Sequence, residues 1–124
     1  MSRPPLYGVG IFVPVSDLKR STAWYTEVLG LEVIHMDEPN AVVMRMNDEK
    51  VTFCLVRSYE VKQPDFPKNE YGVGQYFNLH TTNVSEIHQR LAAKGADVGE
   101  IEDFDEFKGF SLTDPDGNRF GVTE

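Results

Sequence analysis

Apolar and polar positions alternate along GIFVPV, where Ile11, Val13 and Val15 interleave with Gly10, Phe12 and Pro14. The same alternation returns in YFNLH, where Phe77 and Leu79 interleave with Tyr76, Asn78 and His80. A period of two predicts strands with one face packed and the other turned elsewhere. Each strand follows a YGVG tetrapeptide, at residues 7–10 and 71–74, and each leads into a helical period. In the first helix Ser16 or Asp17 supplies the cap and Leu18, Trp24, Tyr25, Val28 and Leu29 the apolar stripe, with Gly30 as the stop. In the second, NVSE is a capping-box spacing, Val84, Ile87 and Leu91 form the stripe and Gly95 ends it.

Three short strand candidates follow each helix: LEVIHM, AVVMRM and VTFCLV, then ADVGEI, GFSLT and RFGVTE. The chain thus reads as one domain of two βαβββ units, approximately residues 7–58 and 71–124. The linker, residues 57–73, holds Pro64 and Pro67 and reads as a connector or mobile loop. Aligning the units on their helix caps or on YGVG gives offsets that differ by an even number of residues. Both alignments therefore place the same residues on one concave face: Gly10, Phe12 and Pro14 from the first unit, and Tyr76, Asn78 and His80 from the second.

With 124 residues, 40% of them hydrophobic, the chain can build one compact core. A net charge of −8 disfavours nucleic acid or an anionic membrane as partner, because both need clustered Lys and Arg. No apolar run is long enough to span a bilayer, the start does not read as a signal peptide, and Cys54 has no second cysteine to pair with. These features point to the cytoplasm. The acidic run EIEDFDE (Glu100, Glu102, Asp103, Asp105, Glu106) lacks calcium-loop spacing and reads as a solvated loop.

Two βαβββ units, with VSDLKRSTAWYTEVLGLEV in the first and FSLTDPDGNRFGVTE closing the second, resemble the vicinal oxygen chelate superfamily of glyoxalase I, bleomycin-resistance proteins and extradiol dioxygenases. The resemblance implies an α+β fold in which two curved mixed sheets enclose a cleft, and it makes a homodimer the expected assembly. In metal-dependent members, strand residues of both units hold a divalent ion that acts as a Lewis acid on vicinal substrate oxygens. Carried onto this sequence, the ligand positions read Gly10, Cys54, Tyr76 and Gly121. Two glycines offer no donor, and Cys54 with Tyr76 falls short of three or four protein ligands. Glu124 lies three residues past Gly121, which turns it to the other face and makes it a surface residue. His35 falls on another strand and His88 on a helix, so both read as structural.

No bound cofactor is expected, with a divalent metal as the alternative. The first reading is a metal-free protein binding a small organic ligand through Phe12, Cys54, Tyr76, Asn78, His80 and Arg119, like the bleomycin-resistance branch; net acidity suits a cationic drug. The second is an enzyme: a metal-dependent lyase, isomerase or dioxygenase, or a metal-free one with His80 as general acid or base and Tyr76 or Arg119 steadying an anion. Cys54 is a weaker candidate as nucleophile, since no His is placed beside it. A third reading is a regulatory or interaction module whose cleft or sheet edge binds protein.

Overall fold

The structure, a computed structural model, describes residues 5–47, 50–103 and 107–124. It divides into two compact units, Met1–Val61 and Lys62–Glu124.

In the first unit, β1 (Val9–Val15) runs parallel to β4 (Val51–Arg57), and β3 (Ala41–Arg45) and β2 (Glu32–Asp37) follow antiparallel, in the order β1-β4-β3-β2. The alternation in the sequence decides what is buried. Val13, Val15, Val42, Met44, Phe53 and Leu55 form one packed face with Leu18, Tyr25 and Leu31. Helix α1 (Leu18–Glu27) lies there, and the Tyr25 ring stands 6.1 Å from Phe53. Asp17 accepts the Arg20 amide at 3.0 Å as N-cap. Gly30, at φ +73°, stops the helix, and the Leu31 amide turns back to the Tyr25 carbonyl. Ser21 is buried in the helix stripe, whereas Trp24, Val28 and Leu29 are only partly covered.

The second unit repeats the plan. Strand β5 (Phe77–His80) runs parallel to β9 (Arg119–Thr123), which pairs antiparallel with β8 (Lys108–Thr113). Of the stretch ADVGEI, expected as one strand, only Asp97 and Val98 form a strand, β6 (Asp97–Val98), paired with β8; a further short strand, β7 (Glu102–Asp103), pairs with β8 beyond it. A Cβ on Gly99 would lie 2.5 Å from Ser111 Oγ, so only glycine fits at this approach to β8. Glu100, Glu102 and Asp103 are exposed; Asp105 and Glu106 of the acidic run lie outside the described residues. The core here is Val84, Leu91, Phe110, Leu112, Phe120 and Val122. His88 is structural: Nε2 donates to the Gly99 carbonyl at 2.8 Å, and its ring meets Phe110 edge-on at 4.8 Å.

Helix α2 (Val84–Ala93) carries two caps at its start. Asn83 Oδ1 accepts the Glu86 amide at 3.0 Å, and Glu124 Oε2 accepts the Val84 amide at 2.8 Å. Glu124 is exposed, as its position in the sequence implied, yet it is not idle, since a carboxylate at a helix N-terminus satisfies an orphan donor and meets the positive end of the helix dipole. Replacing Glu124 with Ala is expected to cost about 1 kcal/mol of stability, read by urea denaturation. A change below about 0.2 kcal/mol would mean that water serves the amide equally well.

Candidate functional site

Helix packing uses one face of each sheet and leaves the other open. On the first sheet's open face the register lays out short rows: Gly10 beside Thr52, Arg45 and Glu32; Phe12 beside Cys54, Val43 and His35; Pro14 beside Val56. Phe12 is 76% exposed, a large apolar side chain in the middle of that face. An ion pair between Arg45 and Glu32, 2.8 Å, closes one row. Cys54 is partly covered, and burial pushes its thiol above its ordinary value, so at neutral pH it is a thiol and not a thiolate nucleophile.

The second sheet's open face carries Asn78, His80, Arg119, Gly121 and Thr123, with Ser111 and Thr113 from β8. Asn78 pairs in register with Gly121 and His80 with Thr123. Asn78 Nδ2 donates to Thr123 Oγ1 at 2.7 Å. Tyr76 stands one residue before the first ladder pair, Phe77 with Phe120, and so is level with Arg119. His80 is exposed and lies about 13 Å along the sheet from Tyr76, at about 3.3 Å per residue.

The segment before β5 adds residues that the sequence pattern did not single out. Gln63 Oε1 accepts the Arg119 amide at 2.8 Å, and its Nε2 donates to the Arg119 carbonyl at 3.3 Å. A side-chain carboxamide thus occupies the place of a neighbouring peptide, where β5 does not reach. Arg119 Nη2 donates to Asp65 Oδ1 at 2.9 Å, and the Phe66 ring meets Tyr76 at 4.9 Å. Asn69 holds the loop in shape: Oδ1 accepts the Tyr71 and Val73 amides, and Nδ2 donates to the Pro67 and Val73 carbonyls. Residues 62–75 thus form a strap on the second unit, joined to β9 through Gln63 and Asp65 and shaped by Asn69.

Gly121 is one of the positions where the resemblance implies a metal ligand. A Cβ at this position would meet Asn78 Oδ1 at 2.5 Å and Gln75 Nε2 at 2.6 Å. Gln75 precedes the regular strand, so strand parity does not govern it, and its carboxamide reaches the open face. The space over Gly121 is filled by two neutral amides, and Gly10 likewise has Thr52 Oγ1 3.1 Å from a notional Cβ. These are hydroxyl and amide groups, not the His and carboxylate donors that a catalytic divalent ion takes. Among the described residues, no three of His, Cys, Asp and Glu gather as a metal-binding group. The residues present do not fit the superfamily's ion.

Solved structures with this arrangement include an integron cassette protein from the mobile metagenome of the Halifax Harbour sewage outfall, with TM-score 0.76, 20% identity and coverage of 94% of this chain and 96% of that one. TnmS3, an antibiotic binding protein from Streptomyces sp. CB03234, gives TM-score 0.73 at 21% identity, covering 98% and 96%. A lactoylglutathione lyase from Agrobacterium tumefaciens gives 0.73 at 22%, also covering 98% and 96%. At such identities the likeness concerns the fold. No curated protein sequence matches the chain. Among the described residues, no helix is long and apolar enough to cross a membrane. The family model for the Glyoxalase/Bleomycin resistance protein/Dioxygenase superfamily matches residues 9–122, nearly the whole chain, and the protein belongs to that superfamily.

Proposed function

We propose that the protein binds a small organic ligand on the open face of its second sheet, without the divalent ion of the superfamily's enzymes. One observation carries this reading: over Gly121 the carboxamides of Asn78 and Gln75 take the space of a metal-ligand side chain. They supply an acceptor and a donor beside a partly exposed Tyr76, and a few fixed polar groups against an aromatic surface are the ingredients of a ligand site. The antibiotic binding protein among the structural relatives supports the same class.

Two measurements test it. Elemental mass spectrometry after reloading with nickel, zinc, iron and manganese is expected to find no stoichiometric metal; one tightly held ion per chain would overturn the metal-free half. A thermal-shift panel of planar aromatic molecules and cationic glycopeptides is expected to find a stabilising ligand, since binding at about 100 times Kd adds roughly 2.7 kcal/mol. A panel with no stabilising compound would count against the binding half.

A metal-free enzyme is the second reading, favoured by the exposed His80 on the same open face, level with Thr123. Full turnover of a substrate by the His80→Ala protein would remove it.

A further inference from the structure

We propose that Arg119 anchors the carboxylate of a planar aromatic acid, with Asp65 as an intramolecular rival for the same guanidinium. This rests on the ligand-binding reading above and names the class of ligand.

The backbone of Arg119 is held from both sides. It pairs with Thr113 of β8, and the Gln63 carboxamide takes its amide and carbonyl on the other side. The guanidinium therefore springs from a fixed point. Among the described residues its hydrogen bond is the single one to Asp65. The Asp65 side chain is 92% exposed and the Arg119 side chain 41% exposed. An exposed pair of this kind is weak, and a second carboxylate displaces it at little cost. A guanidinium offers a planar fork of donors that matches a carboxylate with two parallel hydrogen bonds, which one contact to Asp65 leaves largely unused.

The neighbours define the rest of the ligand. Phe66, which follows the Asp65 that holds the fork, is in ring contact with Tyr76, and the two rings offer an aromatic surface on the same strap-and-strand edge. Gln75 Nε2 lies over Gly121, the next open-face position along β9, as a further donor toward an anion. Asp97 and Glu102 stand on the same face by register, two strands from β9 at their nearest. That is about 10 Å at the usual strand spacing, where salt screens most of their effect. The net charge of −8 suits a cation in bulk solution, but at this spot the guanidinium repels one.

The test titrates naphthoate, naphthamide and naphthylmethylammonium into the full-length protein by calorimetry. Naphthoate is expected to bind at least about tenfold more tightly than the amide, and the ammonium most weakly. Asp65→Asn is expected to tighten naphthoate about two- to fivefold and to leave naphthamide unchanged, because it removes only the rival. Arg119→Gln is expected to bring naphthoate down to the amide's affinity, with an unchanged melting profile as the check on folding. Equal binding of naphthoate and naphthamide by the unaltered protein, or no gain in Asp65→Asn, would overturn the carboxylate anchor and leave the ligand-binding reading standing. Absence of binding by all three probes, together with an empty thermal-shift panel, would overturn both.

Discussion

Replacing Phe120 with Ala is expected to lower the unfolding free energy by about 3–5 kcal/mol, the range for a large aromatic side chain removed from a packed core. Phe120 is 1% exposed and lies 6.3 Å, ring to ring, from Phe77. It is the helix-facing residue between Arg119 and Gly121 on β9, so it holds down the strand that carries both. Native domains have only about 5–15 kcal/mol in total, which makes this loss a large fraction of the whole. Guanidinium denaturation followed by circular dichroism measures it. A loss below about 1 kcal/mol would show that the surrounding side chains close over the gap, and that β9 is not held by this contact.

The second large effect is expected at the turn between β8 and β9. Asp114 is buried at 4% exposure and accepts hydrogen bonds on both oxygens: Oδ1 from the amides of Asp116 and Asn118, at 2.9 and 2.7 Å, and Oδ2 from Asn118 Nδ2 at 2.8 Å. Gly117 at φ +88° lets the chain reverse, and its amide closes onto the Asp114 carbonyl. Removing the carboxylate by Asp114→Ala strands the buried Asn118 amide and side chain and the part-buried Asp116 amide, and buried donors without acceptors cost about 1–3 kcal/mol each before relaxation. Roughly 3 kcal/mol of lost stability is expected, with Asp114→Asn less severe because Oδ1 is kept. The same denaturation measurement checks both variants. Equal, small losses in the two would mean that the turn is set by Gly117 and the flanking strands alone. The turn also sets where Arg119 begins β9, so Asp114→Ala is expected to weaken ligand binding beyond its effect on stability.

The pattern of the chain made much of this fold legible. Alternation in GIFVPV and YFNLH assigned the faces of β1 and β5, since sheet burial obeys a period of two. The caps, Ser16 or Asp17 and Asn83, and the stops Gly30 and Gly95 bounded both helices, because those sites have narrow chemical requirements, and Asp17 is the residue that caps the first. That only Asp97 and Val98 of ADVGEI pair with β8 was not legible, because the partners lie far along the chain at Leu112 and Thr113.

The candidate site was legible where it lies on regular strands and hidden where it does not. Phe12, Cys54, Asn78, His80 and Arg119 fell on the open faces that parity assigned. Gln63, Asp65 and Gln75 belong to the strap, whose hydrogen bonds no period describes. The one available signal there was Asn69, set between Pro67 and Gly72, a composition that favours a loop built around a side-chain amide. The dimer and the cleft implied by the resemblance concern contacts beyond either unit.

Gln63 has a consequence for solubility. At Arg119 the strand β9 extends past β5, which would leave a peptide amide and carbonyl facing outward. Unpaired strand groups of that kind recruit strands from other molecules and start edge-to-edge aggregation. A glutamine carboxamide has the same donor and acceptor as a peptide, and here it caps that short length of edge with a group that cannot be extended into a further strand. The strap is in this sense a piece of aggregation control: it closes the β-sheet at a point where the repeated unit, with its short β5, leaves it open.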